Sequence, residues 1–477
     1  MTQHNTQLHL VETTRIPEVT IPFEPKRDWE LGFLSGHRIR VVIYLILCIA
    51  SLYALQDLLW PRSRAPQSLF AHIWSWGSIL WLAAMVPGTI GLLGLLAFRH
   101  PTTLDSVQPI HRLVVWRIVS YGKNVDVLIE TIRRCQSEMA KTPLFPYVIE
   151  VVVDEVVGRP KFLLPHPYEN VRFIWVPATY TTPNKSRFKA RALHYAMKHS
   201  PVPDTAWVVF LDEETQPTSS SIKGICKMIR EEEISQKLRV GQGAILYHRL
   251  WKKHPFLTLA DMARTGDDFA RFYFQHLLGI TLFGLHGSFI VARTDVINKS
   301  GGFDFGPNGD ITEDAFWALV LMALKVRSRW VEGYMEEQST HSIVDFVKQR
   351  CRWLQGLIKV ALHAPVKLWW RLSLGINTIL WVGASLSSLY TICNFFYGFE
   401  VQPWIRFLAN YSFSTFLLLY LVGLTTNMDE HGIRKRSVRV LLTTLQLVLL
   451  PIFTLMESAG VVWGLVTPTN GFHVVKK

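Results

Sequence analysis

Cysteine, acidic residues and, over long stretches, charge of either sign are scarce in this chain of 477 residues. The five cysteines, Cys48, Cys135, Cys226, Cys351 and Cys393, are scattered with no pair at CxxC spacing. That argues against a disulfide framework and against structural zinc, and it fits a reducing, cytosolic middle domain. No charged residue falls between Ile73 and Phe98, between Ser373 and Phe399, or between Phe407 and Met428. Each window supplies the roughly 20 apolar residues that cross hydrocarbon as a helix, so an integral membrane protein is expected. Two further runs carry one acidic residue apiece, Asp57 in Val41–Trp60 and Glu457 in Val440–Val475, which makes about five spans. The chain also has no internal repeat and no low-complexity segment.

Positive charge, by contrast, is in excess: 50 Lys and Arg against 37 Asp and Glu, a formal net charge of +13. No basic stripe is interleaved with aromatics, so nucleic acid is not the expected partner. The positive-inside bias accounts for the excess better. Arg38 and Arg40 precede the first run, Arg99 and Lys123 follow the second, and Arg434, Lys435, Arg436 and Arg439 separate the fourth from the fifth. All three placements put the N-terminus and the segment from Arg99 to Arg371 in the cytosol, with the third and fourth runs forming a hairpin. Pro451 divides the last run, which is therefore expected to kink or re-enter. The first run follows a polar stretch containing Pro17, Pro22 and Pro25 and does not read as a cleaved signal peptide. The expected organisation is a cytosolic arm (1–40), two transmembrane helices (41–98), one large soluble domain (99–350), interfacial amphipathic helices (351–372) and about three transmembrane helices (373–475).

Within the soluble segment, β-branched runs at Val114–Val119, Val148–Val153, Val171–Val176 and Trp207–Leu211 alternate with helical stretches at Val125–Glu138 and Lys189–Lys198. This alternation predicts an α/β domain built on a parallel, doubly wound, Rossmann-like sheet, whose ligands bind beyond the carboxyl ends of the strands. That rule singles out Asp154 after the second run and Asp212, Glu213 and Glu214 after the fourth.

Asp212 and Glu214 stand at i and i+2 just past a buried strand. Hard oxygen ligands of this kind suit Mg²⁺ or Mn²⁺, although a solvated acidic turn has the same pattern. Thr312, Glu313 and Asp314 precede the apolar helix Ala315–Leu324. Thr312 there reads as a helix cap, or Asp314 as a general base. Gln349, Arg350, Cys351, Arg352 and Trp353 open an amphipathic stretch running to Trp370. Arg and Trp are common membrane-interface anchors, but Arg352 also suits a diphosphate and Trp353 the face of a sugar ring. Asp267 and Asp268 beside Arg264 and Arg271 read as a solvated ion-pair face. His248 and His286 read as structural histidines, with His286 also placed to touch substrate.

In this order and spacing the motifs resemble family 2 of the inverting glycosyltransferases, the group containing cellulose, chitin and hyaluronan synthases. Within it the likeness is to the egghead type of β-1,4-mannosyltransferase. It rests on KARALHY at Lys189–Tyr195, LDEET at Leu211–Thr215, GQG at Gly241–Gly243, EGYMEE at Glu332–Glu337, QRCRWLQG at Gln349–Gly356 and the stretch Met456–Val466. The resemblance implies a GT-A catalytic domain in which Asp154, Lys189, Asp212, Gln349 and Arg352 contact a nucleotide-sugar donor. Asp212 and Glu214 would hold Mn²⁺ or Mg²⁺. Asp314 would act as base with Glu313 and Arg352 beside it, and Gly287, Ser288 and Trp353 would meet the acceptor. It further implies GDP-mannose as donor and a membrane glycolipid such as glucosylceramide as acceptor. The alternative is a processive synthase extruding a polysaccharide past Glu457. Golgi, ER and plasma membrane all suit such an enzyme, and no obligate protein partner is inferable.

Overall fold

The computed structural model describes residues 36–59, 68–99, 104–154, 170–396 and 402–467, so most of the expected N-terminal arm lies outside the described residues. Two apolar elements come first: α1 (Gly36–Leu59), then α2 (Leu69–Ser75), which continues through a 3₁₀ turn into α3 (Leu82–Ala97). The α/β domain follows as β1 (Val114–Ser120), α4 (Val125–Lys141), β2 (Tyr147–Asp154), β3 (Val171–Val176), α5 (Phe188–His199) and β4 (Trp207–Asp212). It continues with β5 (Gln216–Pro217), α6 (Ser219–Ser235), β6 (Val240–Leu246), α7 (Pro255–Asp267), α8 (Tyr273–Leu278) and β7 (Ile290–Arg293). Then come α9 (Thr294–Lys299), α10 (Glu313–Ala323) and β8 (Ser328–Glu336). The chain closes with α11 (Ile343–His363), α12 (Leu368–Phe396), α13 (Pro403–Glu430) and α14 (Arg436–Val466).

All eight strands form one sheet in the order β3-β2-β1-β4-β7-β6-β8-β5. The first four pair in parallel, as β-branched strands buried on both faces do, with Val119 opposite Asp212 and Asp154 opposite Val176. The parallel expectation stops there. β7 runs antiparallel to both β4 and β6, while β8 pairs parallel to β6 and antiparallel to β5. Two inversions cancel, so β1, β2, β4, β6 and β8 all present their carboxyl ends at one edge. The first two strands are also joined by buried charge. Arg117 Nη2 reaches Glu150 Oε2 at 2.7 Å, and Arg172 of β3 reaches the same carboxylate, which compensates a buried anion that would otherwise be costly.

Among the described residues, five helices or helix runs are long and apolar enough to cross a membrane: His37–Leu58, Leu69–Ala97, Leu368–Asn394, Pro403–Glu430 and Arg436–Val466. The domain docks against them through α7 and the π-helical turn after it. Gly266 and Gly423 let α7 and α13 approach backbone to backbone, and Gly94 lets α3 meet Ala270 of the turn in the same way. Pro451 does not divide α14, which runs unbroken for 31 residues. Both of its ends lie on the domain side. Arg439 pairs with Asp429 at the close of α13, and Gln355 of α11 donates to the carbonyl of Thr467 just past the last turn. Gly460 and Gly464 pack on Arg350, Leu354 and Cys351 of α11.

Candidate active site

The common carboxyl edge of the sheet opens onto one cavity of about 520 Å³. Asp154 reaches it from the end of β2, Tyr121 from beyond β1, Asp212 from the end of β4, Glu214 from the turn after it, and Glu337 from just past β8. Glu313 and Asp314 enter from the first turn of α10, and Gln349, Arg352 and Trp353 from α11.

Lys189, at the start of α5, stands at the centre. Its Nζ donates to Asp212 Oδ1 at 2.5 Å and to the Gly287 carbonyl at 2.6 Å, and lies 3.5 Å from Glu313 Oε1. Gly287 marks the focus of the group. A Cβ there would lie 3.0 Å from Lys189 Nζ, 3.4 Å from Asp314 Oδ2 and 3.5 Å from Asp212 Oδ2. Any side chain at Gly287 would occupy the space those groups share. Two phenylalanines beside these residues adopt left-handed backbone, Phe188 (φ 54°) before Lys189 and Phe289 (φ 54°) after Ser288. Such strain in non-glycine residues persists where the surroundings over-determine it, and here it aims Lys189 and the Gly287 carbonyl inward.

Burial, and after it the Glu313 carboxylate, raises the Asp314 carboxyl to about 7 against the pull of Lys189. Burial also raises Glu313 and Glu337. For Lys189, burial acts to lower the ammonium, but Asp212 and Glu313 outweigh it and hold it charged. Nine acidic side chains line the cavity against five basic ones, an excess that a divalent cation would relieve. Among the described residues no three His, Cys, Asp or Glu side chains are grouped to hold an ion by themselves. Asp212 and Glu214 both line the cavity, and their carboxylates are hard oxygen donors of the kind that suits Mg²⁺ or Mn²⁺.

Other expected residues sit differently. Thr312 occupies the N-cap position of α10, yet its side chain makes no cap bond. Ser288 is buried and does not line the cavity: its Oγ donates to Thr215 Oγ1 at 2.6 Å and accepts from the Asp212 amide at 3.3 Å, so it braces the acidic turn. Glu213 braces the same turn from the other side, accepting from Ser120 Oγ at 2.8 Å and Asn124 Nδ2 at 2.5 Å. Asp154 is ion-paired with Arg191, whose guanidinium also donates to the carbonyl of Tyr180 at 2.9 Å. The acidic pair at Asp267 and Asp268 is not a solvated face. Asp268 is buried, accepts from the Ile245 amide at 3.0 Å and lies 3.1 Å from His286, while Arg271 is held by Asp267 at 2.5 Å. His286 lines the cavity as a neutral ring, pushed down to about 3 by burial and then by Arg264.

Charges far apart in sequence also meet. Arg350 reaches Asp261 of α7 at 2.8 Å and Glu457 of α14 at 2.9 Å. Its guanidinium lies 4.8 Å from the Trp353 ring, and that of Arg264 lies 5.0 Å from the same ring. Two cations thus lie against the Trp353 ring at the cavity wall. Sequence reasoning missed Glu337 and Arg264 as lining residues. The rule that found Asp154 and Asp212 would have found Glu337, had β8 been recognised as a strand.

A mixed sheet of this order, with an acidic turn at the end of β4 and a carboxylate opposite it on α10, defines a GT-A glycosyltransferase. Residues 207–456 match the family model described as glycosyl transferase family group 2, and the chain belongs to that family. It is 29% identical over 422 residues to the β-1,4-mannosyltransferase egh of Drosophila melanogaster, covering 88% of this chain and 90% of that protein. It is also 29% identical to the β-1,4-mannosyltransferase bre-3 of Caenorhabditis elegans, over 81% of this chain and 83% of the relative. Among solved structures it is similar to a mannosyltransferase from Pyrobaculum calidifontis in complex with GDP-Man and Mn²⁺. That likeness has a TM-score of 0.46 and 13% identity, over 82% of this chain and 99% of the other.

Proposed function

We propose that this enzyme transfers a single mannosyl residue from GDP-mannose to a glucosylated membrane lipid, inverting the anomeric centre to leave a β linkage. The observation that carries the reading is the convergence of Lys189, Asp212 and Asp314 around Gly287, in a cavity that continues between membrane helices. The named mannosyltransferase relatives support the choice of sugar.

The chemistry is one displacement. Asp314 takes the proton of the acceptor hydroxyl, whose oxygen attacks the anomeric carbon on the face opposite the nucleotide. The bond from that carbon to the diphosphate oxygen breaks, and the nucleotide leaves with the electron pair. Lys189 and Arg352 face the charge that develops on the diphosphate, in a buried setting where fixed cations act strongly. Asp212 and Glu214 would hold a divalent cation, which supplies further neutralisation of that leaving group. In this reading Asp154, at the end of β2, meets the nucleobase, and Trp353 offers its ring to the acceptor sugar.

Chain topology bears on the alternative of polymer extrusion. The cavity residues on α12 end at Ser388 and those on α13 begin at Ser412, about 12–14 Å short of the far ends of these helices at 1.5 Å per residue. A path for a growing polymer would have to continue to the far side. We also read α14 as lying in the membrane interface, because both its ends are held on the domain side and one face carries exposed Val440, Leu441, Val448 and Ile452. Four elements then cross the membrane, with the N-terminal side of α1 and the catalytic domain in the cytosol.

The test is nucleotide release by purified protein from a panel of nucleotide sugars, with and without glucosylceramide. Release that needs both GDP-mannose and the lipid supports the reading. Release from another donor, or equal release without lipid, contradicts it.

A further inference from the structure

The cavity has a limb the displacement does not use. Past Trp353 it rises between α3, α12 and α13 above a floor of α14, from Asn377 to Ser388 on α12. Those positions are 11 residues apart, about 16 Å along the helix axis. The far end is closed by Trp81, which is buried, donates from Nε1 to Thr391 Oγ1 at 2.9 Å and packs edge-on against Phe413. α12 and α13 each pack on α3 and scarcely on each other, so the limb has a seam toward the bilayer.

Its wall carries many hydroxyls, but most are turned into the helices. Ser388 donates to the Ala384 carbonyl at 3.1 Å, Thr415 to Ser412 at 2.7 Å, Thr454 to Pro451 at 2.9 Å and Ser458 to Ser385 at 3.0 Å. What these residues show the limb is chiefly methyl and methylene surface beside Ala84, Trp381 and Phe416. Ser412 Oγ is an exception, buried without a hydrogen-bond partner. Apolar cavities of this kind stay dry and take apolar guests.

We propose that the limb receives one hydrocarbon chain of the acceptor lipid, so that the lipid is held by a buried chain as well as by its sugar at Asp314. The proposal rests on the lipid-acceptor reading above. A two-chain lipid would place one chain in the limb and leave the other in the bilayer across the α12–α13 seam. Three features point to this occupant rather than to a glycan: continuity with Asp314, inward-turned hydroxyls and a closed far end. For an alkyl acceptor taken from water, burial of its chain then contributes roughly a factor of four in affinity per methylene accommodated, whereas a chain leaving the bilayer exchanges hydrocarbon for hydrocarbon and the limb acts mainly by fixing where the lipid sits.

The test uses hexyl, decyl and hexadecyl β-glucosides as acceptors for the full-length protein, compared with Ser388→Leu and Ala84→Leu, which fill the limb from α12 and α3. In the wild type, kcat/KM should climb with chain length and then level off. In the variants it should level off at a shorter chain, with at least a tenfold loss on hexadecyl glucoside. Hexyl glucoside turnover should be unchanged, which also shows that the variants fold. If glucosides are mannosylated but the variants show the same chain-length dependence as wild type, the limb is not the chain site, and the lipid-acceptor reading stands. If no glucoside accepts mannose, that reading falls and the limb proposal with it.

Discussion

Replacing Asp314 by Asn keeps the shape of the side chain and removes its ability to take a proton, and the structure predicts consequences in opposite directions for activity and stability. Burial and the adjacent Glu313 carboxylate raise the Asp314 carboxyl from 3.8 to about 7. A carboxyl with a raised folded pKa is penalised wherever it ionises in the fold. The penalty is absent below the unfolded value and complete above the folded one. For this shift it amounts to about 4 kcal/mol at pH 8 and under about 2 kcal/mol at pH 5. Asp314→Asn should therefore gain a few kcal/mol of stability at pH 8, much less at pH 5 and none near pH 3. The same change should cost about 10²- to 10⁴-fold in turnover, the usual worth of a general base, while donor KM stays near the wild-type value. In the wild type, kcat/KM should rise with pH through about 7 as the base loses its proton. Thermal unfolding in lipid nanodiscs at the three pH values, alongside turnover at saturating donor, reads all of this. Near-normal turnover by Asp314→Asn would refute the role of the base, and equal stability changes at pH 8 and pH 5 would refute the buried-charge argument.

Three further outcomes follow from the same geometry. Arg350→Met leaves buried Asp261 with only the longer contact to Arg264 at 3.9 Å and should destabilise by up to about 3–5 kcal/mol, with Asp261→Leu added in the double variant recovering most of the loss on an unfolding curve. Glu214→Gln should abolish the stimulation of donor hydrolysis by Mn²⁺ or Mg²⁺, whereas Glu213→Gln, which loosens the bonds to Ser120 and Asn124, should keep it; a metal titration of each variant separates them. If α14 lies in the interface as proposed, Val466→Cys should react with a membrane-impermeant thiol reagent from the catalytic side, while Gln402→Cys, at the start of α13, should react from the opposite side.

The legible parts of the fold and site share a cause. β1, β2 and β4 are buried on nearly every residue, so their β-branched runs stand out, and the carboxylates just beyond them are found by position alone. β7 has only four residues, and β8 mixes Arg329 and Glu332 into its apolar positions, so neither shows a pattern and Glu337 passes unnoticed. Amphipathic periodicity reports that the helix at Asp267 and Asp268 has two faces. It cannot report that the polar face packs inward, where Ile245 and His286 meet Asp268. The pairing of Arg350 with Glu457 spans 107 residues and leaves no local trace. α14 has the composition of a membrane span, and nothing in its sequence records that its two ends are held by α11 and α13. Gly287 and Ser288 are adjacent in sequence yet divide their labour, one opening the centre and the other bracing the acidic turn.

The central claim is tested most directly by incubating the purified enzyme with GDP-mannose, Mn²⁺ and glucosylceramide and determining the mass and anomeric linkage of the product lipid. The account predicts a mass increase of one hexose and a β linkage. An α linkage, a ladder of added hexoses or an unchanged lipid beside released nucleotide would contradict it.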